Sequence, residues 1–406
     1  MTKGVGGSDP ESVLRSLAPL PGAPPRISPE MRATRRELAR ASMAARGLGA
    51  LILPVGPSLR YFTGLAWHAS ERLACAILKS DGALVLVGPR FEAESLEAGV
   101  DGPVDLRLWE EDEDPFALAA DAIGVAGAAN TTPAFDPQGP YWVYRGLSRA
   151  LGSGLADDGG LLAEIRAIKS PAEIALMSYA KQITLRAQEA AAASLAPGVT
   201  SPEVRLFIDR AHRALGADGG ATFCLVSFGP ASALPHGGSG EVLTLAEGDP
   251  VLIDTGCEVD GYKSDITRSY VFGEPDADYR RLWGVSRAAQ QAAFEALRPG
   301  VTCESIDLAA RGVIEAAGLG PRYGLPGLPH RTGHGIGTEV HEAPYLVIGD
   351  KTLAQPGMCF SNEPALYATG VYGVRIEDHM YVTETGANWF TTPPDDAEIP
   401  FPAVGG

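Results

Sequence analysis

The fold is decided by the stretch Val251-Leu-Ile-Asp254-Thr-Gly-Cys-Glu-Val-Asp260-Gly261-Tyr-Lys-Ser-Asp265-Ile-Thr-Arg-Ser-Tyr270. Two β-rich runs flank Asp260-Gly261, a dipeptide that favours a two-residue hairpin loop. With that loop, Val259 pairs with Tyr262 and Asp254 with Thr267. Asp265 then falls on the face of Thr267, diagonal to Asp254. Diagonal partners lie roughly 7–8 Å apart at the backbone, so both carboxylates can reach one cation between them. Taken alone, the hairpin reads equally well as a polar, solvent-facing strand edge.

A second acid pair follows in Ser361-Asn-Glu363-Pro364 and Gly373-Val-Arg375-Ile-Glu377-Asp378. The turn-like Ala368-Thr-Gly370 between them predicts another hairpin, whose register the loop length leaves open. Between the two pairs lies Gly333-His334-Gly-Ile-Gly337-Thr-Glu-Val-His341-Glu-Ala-Pro344. Glycines at alternate positions make a helix improbable and let backbone or ligand come close to His334. Tyr345 occupies the second histidine position of H-E-x-x-H, so a zincin reading fails. A lone buried histidine is more often structural; one framed by glycines and in reach of four acids is better read as a ligand. Four carboxylates and one imidazole suit Mn²⁺, Co²⁺, Fe²⁺ or Zn²⁺ and exceed the need of one ion. Two ions about 3.5–4 Å apart can generate hydroxide at neutral pH and polarise a carbonyl.

These motifs fall into a repeat. Ala196-Pro-Gly-Val-Thr200 and Arg298-Pro-Gly-Val-Thr302 each precede an amphipathic helix, a Gly-rich segment with a histidine (Pro235-His236-Gly237; Gly333-His334-Gly335) and a strand ending in an acid. A duplicated α+β unit accounts for this order and brings the matching acids together. Upstream, Ser170-Pro171-Ala-Glu173 starts a helix expected to reach about Ala196. Before the Gly- and Asp-rich stretch Gly152–Gly160, strand-sized runs (50–53, 74–78, 83–87) alternate with helical segments (31–46, 116–123), as in an α/β domain. Residues 1–25, with many Gly and Pro, read as a flexible tail.

The chain has 406 residues and carries 50 acidic against 33 basic side chains, a formal charge of −17. That length suits two or three domains, and the charge argues against nucleic-acid or anionic-membrane partners. No apolar run approaches the roughly 18 residues of a membrane span. Five scattered cysteines, never C-x-x-C, argue against a disulfide framework or a thiolate zinc site and make a reducing cytoplasm the expected compartment.

At Asp254, Asp265, His334, Glu363 and Glu377, separated by 11, 69, 29 and 14 residues, the sequence resembles the pita-bread metallopeptidases. These include Xaa-Pro dipeptidases (prolidases), aminopeptidase P and, more remotely, methionine aminopeptidases and creatinase. The likeness is strong over 165–390 and extends weakly through Leu59-Arg-Tyr-Phe-Thr-Gly64 to a creatinase-like first domain. It implies an α/β amino-terminal domain at 26–163 and an α+β pita-bread catalytic domain with pseudo-twofold duplication at 164–406. Asp254, Asp265 and Glu377 would hold one divalent ion and Asp265, His334, Glu363 and Glu377 another, with Mn²⁺ foremost.

By the same resemblance His236 and His341 would contact substrate and stabilise the reacting peptide. Glu363 would carry the proton from a metal-bridging hydroxide's parent water to the leaving proline nitrogen, and Arg375 would bind substrate or pair with Asp378 or Glu363. The implied activity is proline-directed exopeptidase, Xaa-Pro dipeptidase ahead of aminopeptidase P, in a homodimer. A metal-free creatinase-like hydrolase is disfavoured by the filled ligand positions, and a non-catalytic peptide-binding module has no need of them. One departure stands out: prolidases often place an arginine shortly after the His341-type histidine to hold the dipeptide's carboxylate, and here 341–363 contains none. The anchor is then expected from Arg375, an amino-domain arginine such as Arg60 or Arg72, or a partner subunit. Trp67 and His68 read as a packed loop.

Overall fold

The computed structural model describes residues 2–102, 104–124, 131–235, 237 and 240–402. They form two units, Ile27–Arg166 and Met1–Arg26 with Ala167–Gly406.

The amino-terminal unit is a mixed six-stranded sheet in the order Asp105–Trp109, Leu84–Pro89, Cys75–Lys79, Leu48–Pro54, Thr132–Phe135, Ala156–Asp157. Every residue of Leu48–Pro54 is buried, which explains its unbroken apolar run. Leu51 and Leu53 face one core, while Ala50 and Ile52 face another on the opposite side of the sheet. Helix Pro29–Arg46 starts on Ser28, whose side chain accepts from Met31, and ends at Gly47 in the left-handed conformation. Trp67 packs against the first of these cores.

The larger unit, expected to be the catalytic one, shows the duplication in its backbone. In the first half, Gly198 N–H donates to Leu245, Leu245 to Val199 and Ser201 to Leu243; in the second, Gly300 donates to Ala354, Ala354 to Val301 and Cys303 to Thr352. Each Pro-Gly-Val-Thr turn is thus clamped by one extended segment before its helix begins. Helices Pro171–Ala193 and Ser201–Leu215 serve the first half, Ala277–Ala296 and Cys303–Ala316 the second. The first sheet runs Ile266–Val271, Pro250–Gly256, Phe223–Phe228, and the second Glu342–Leu346, Gly333–Gly335, Cys359–Asn362, Asp378–Val382, Ala387–Trp389.

Residues 2–26 depart from the flexible tail that their composition suggests. Asp9 caps helix Pro10–Ser16. Thr2, Gly6, Ser8 and Leu20 donate to the carbonyls of Gly273, Ala192, Ala193 and Leu215. Three of these carbonyls, Ala192, Ala193 and Leu215, lie in the last turns of helices, where intrahelical donors run out, and composition carries no sign of that.

Candidate active site

The first hairpin has the register its Asp-Gly turn requires: Val259 opposes Tyr262 and Thr267 opposes Asp254. Asp260 and Gly261 have φ of 51° and 84°, the pair of positive values a tight turn of this hand needs. Asp265 is buried just ahead of strand Ile266–Val271.

The second hairpin is built differently. Cys359–Asn362 pairs with Asp378–Val382, and Ala365–Ala368 with Tyr372–Arg375, all in one register that puts Glu363 opposite Glu377. Pro364 has no N–H to continue the ladder, and at that break both acids turn their backbones elsewhere. Glu363 N–H donates to Thr332 O, and Glu377 N–H to Thr267 O in the first hairpin, at 2.9 and 3.1 Å. Ser269 ties the same strands twice, accepting from Arg375 N–H and donating to its carbonyl.

His334 sits in the short strand Gly333–Gly335, where a side chain at 333 would lie 2.0 Å from Ser361 O. Its Nδ1 faces Gly335 O at 3.0 Å, which fixes the tautomer and turns Nε2 inward. Nε2 lies 3.2 Å from Glu363 Oε1 and 3.7 Å from Asp265 Oδ2.

Three sets of donor atoms each lie within 4.8 Å of one another: Asp254, Asp265, Glu377; His334, Glu363, Glu377; and Asp265, His334, His341. Asp254 Oδ1, Asp265 Oδ1 and Glu377 Oε1 are buried without a hydrogen-bond partner. Buried anionic oxygens without donors need a cation. The donor set therefore fits divalent ions, with Asp265, Glu377 and His334 each in two sets.

Electrostatics set these acids apart. Burial and the charges of Glu377, Asp254 and Glu363 push the Asp265 carboxyl well up; burial, Glu363 and Asp254 do the same to Glu377. Burial acts on Glu363 in the same sense, but His334, His330 and Arg375 outweigh it and hold that carboxyl at about 2. Burial, aided by His334 and Arg331, brings His341 down to about 4, so its ring is neutral at pH 7. His341 is exposed and packs edge-on to His334, ring centres 4.3 Å apart. His236 lies outside the described residues.

Arg375 is neither an open substrate contact nor a partner of Asp378 or Glu363. It pairs with Asp254, and its other donors reach Thr267 Oγ1, Tyr367 Oη and Pro235 O. Asp378 pairs instead with Arg268, at 2.8 Å, and Arg268 also donates to Glu377 O. Thr267 Oγ1 donates to Glu377 Oε2 at 2.8 Å. Arg375 and Thr267 thus orient Asp254 and Glu377, the outer layer that fixes ligand direction in metal sites.

Sequence reading missed Arg268 and His330, and it placed Thr267 opposite Asp254 without giving it a role. His330 Nε2 is buried and unpartnered beside Tyr367, with ring centres 6.1 Å apart. Only its nearness to His334 in the chain hinted at a place here.

Residues 175–384 match the family model for metallopeptidase family M24, and 35–168 match the creatinase/prolidase N-terminal domain. A probable dipeptidase PepE of Mycobacterium tuberculosis is 39% identical over 367 residues, covering 89% of this chain and 95% of that protein. The chain belongs to metallopeptidase family M24. Among solved structures, this M24 enzyme resembles dipeptidase PepE from Mycobacterium ulcerans (36% identical, TM-score 0.81, covering 92% of this chain and 98% of the other). It also resembles a prolidase from Thermococcus sibiricus (28%, TM-score 0.81, covering 88% and 96%). The expected fold, a creatinase-type first domain with a duplicated pita-bread catalytic domain, is the fold observed. The enzyme is a metallo-exopeptidase. No helix among the described residues is long and apolar enough to cross a membrane.

Proposed function

We propose that this M24 enzyme is an Xaa-Pro dipeptidase using two divalent ions held by Asp254, Asp265, His334, Glu363 and Glu377. The carrying observation is the convergence of the three donor sets around buried oxygens that lack any other partner. The relatives described as dipeptidases and a prolidase support the substrate class. Bound there, the ions supply a Lewis acid for the scissile carbonyl and a water ionised at neutral pH.

The side chains do the rest. Glu363 takes the proton of the attacking water and returns it to the proline nitrogen as the bond breaks. His341, neutral and reachable, donates to the developing oxyanion, and His236 supplies a second substrate contact. Asp265 and Glu377 would be the shared ligands, and Arg375, paired with Asp254, keeps that carboxylate aimed. Manganese as the native metal, a cytoplasmic setting and a homodimer complete the proposal.

The test is turnover of an Xaa-Pro dipeptide against an Xaa-Pro-Xaa tripeptide by metal-loaded enzyme. Cleavage of the dipeptide supports the reading. Cleavage of the tripeptide alone would assign aminopeptidase P activity instead.

A further inference from the structure

A dipeptide presents its free carboxylate only three bonds beyond the scissile carbonyl carbon, within about 4 Å. A cation that selects dipeptides must therefore stand close to the group that contacts the scissile peptide. The buried cations of the catalytic unit are already committed: Arg375 to Asp254, Arg268 to Asp378, Arg311 to Asp307 and Lys169 to Glu342. Lys181, with no exposure, donates to Lys263 O and lies over the Phe390 ring.

Arg331 is different. It is half-buried and has no carboxylate within ion-pair distance among the described residues. Its guanidinium lies over the Tyr345 ring, 4.4 Å from the centre. Tyr345 opposes His334 in the strand pair Gly333–Gly335 and Glu342–Leu346, and the His334 ring packs on His341. One face of the planar guanidinium rests on an aromatic ring, which orients the group and leaves its N–H edge free for a two-pronged bond to a carboxylate. Tyr345 stands within the 341–363 stretch that contains no arginine, so the cation reaches this place from the other strand.

Resting on the dipeptidase reading, we propose that Arg331, braced on Tyr345 beside His341, binds the free α-carboxylate of the substrate's proline and so selects dipeptides over longer peptides. A longer peptide carries an uncharged amide at that point and loses the charged pair.

The test compares alanyl-proline with alanyl-prolinamide in manganese-loaded wild type, Arg331→Ala and Arg331→Lys, with metal content measured for each. Charge-assisted hydrogen bonds of this kind correspond to about 10- to 100-fold in affinity. The expected result is a KM for alanyl-proline raised by that factor in Arg331→Ala, a much smaller change for the amide, intact metal content, and partial recovery in Arg331→Lys. A wild-type preference for the acid that survives in Arg331→Ala overturns the anchor alone. So does a loss that falls equally on acid and amide. A wild-type enzyme with no preference for the acid removes the dipeptidase reading, and the anchor with it.

Discussion

The two acid-bearing hairpins of the catalytic unit are copies in layout and opposites in construction. In the first, the ladder from Pro250–Gly256 to Ile266–Val271 is continuous, and Asp254 keeps its place opposite Thr267. In the second, the ladder stops where Glu363 faces Glu377, and the freed amides bind Thr332 and Thr267. The first hairpin is a rigid plate whose geometry comes from its own turn. The second draws its geometry from its neighbours, including the first. Duplication thus supplied the acids in pairs, while the break at Pro364 lets one pair lean on the other.

Replacing Glu363 with Gln should break the comparison most sharply. It keeps the shape of the second hairpin but removes the proton carrier, so kcat should fall by about 10²- to 10⁴-fold. Steady-state kinetics with a dipeptide, alongside metal content, would check this. Next in size is Arg375→Leu, which leaves Asp254 of the first hairpin without the guanidinium reaching it from the second. Manganese affinity, read by calorimetry, should drop by about 10- to 100-fold. Thr267→Val removes one hydrogen bond to Glu377 and one acceptor for Arg375. Its effect on metal affinity should have the same sign and be smaller, about tenfold.

The acids also respond differently to pH. Asp265 and Glu377 ionise near 3.8 and 4.5 when unperturbed, and well above those values in the metal-free fold. Between the two limits the folded chain binds more protons than the unfolded one. Stability present below 3.8 is therefore lost as pH rises through the folded values. Glu363 behaves oppositely: its contribution is present above 4.5 and lost as pH falls toward about 2. Below about pH 6.5 the lowered histidines, His341 and His212, both held at about 4, add the opposite trend. Above it only the raised pair still changes among these groups, so the melting temperature of metal-stripped enzyme should fall with rising pH. Asp265→Asn should flatten that slope. The smallest effect belongs to the turn that sets the first hairpin's register. Gly261→Ala, at φ 84°, should cost roughly 1–2 kcal/mol in chemical denaturation and leave metal stoichiometry unchanged.

This contrast also explains what could be read from the sequence. The first hairpin was legible to the residue because Asp260-Gly261 admits one loop length, and a period of two does the rest. The second was legible as an acid pair but not as geometry. Pro364 announces an interruption, whereas the amides of Glu363 and Glu377 find their acceptors far along the chain. The repeat was visible in Pro-Gly-Val-Thr because a local turn chemistry is written twice. Arg375 drew attention by its position, yet its partner, Asp254, lies 121 residues away in the other half. Arg268 and Asp378 were invisible for the same reason: a buried pair between halves leaves no local pattern. The amino-terminal segment was misread because loose composition says nothing about which carbonyls await a donor.

The most direct measurement is titration of Mn²⁺ into metal-stripped enzyme, following ions bound per chain and turnover of an Xaa-Pro dipeptide on the same sample. Two ions per chain, with turnover appearing as the sites fill and absent from Asp265→Asn, is the predicted result. Full turnover in the presence of a chelator, with no ion bound, would contradict it.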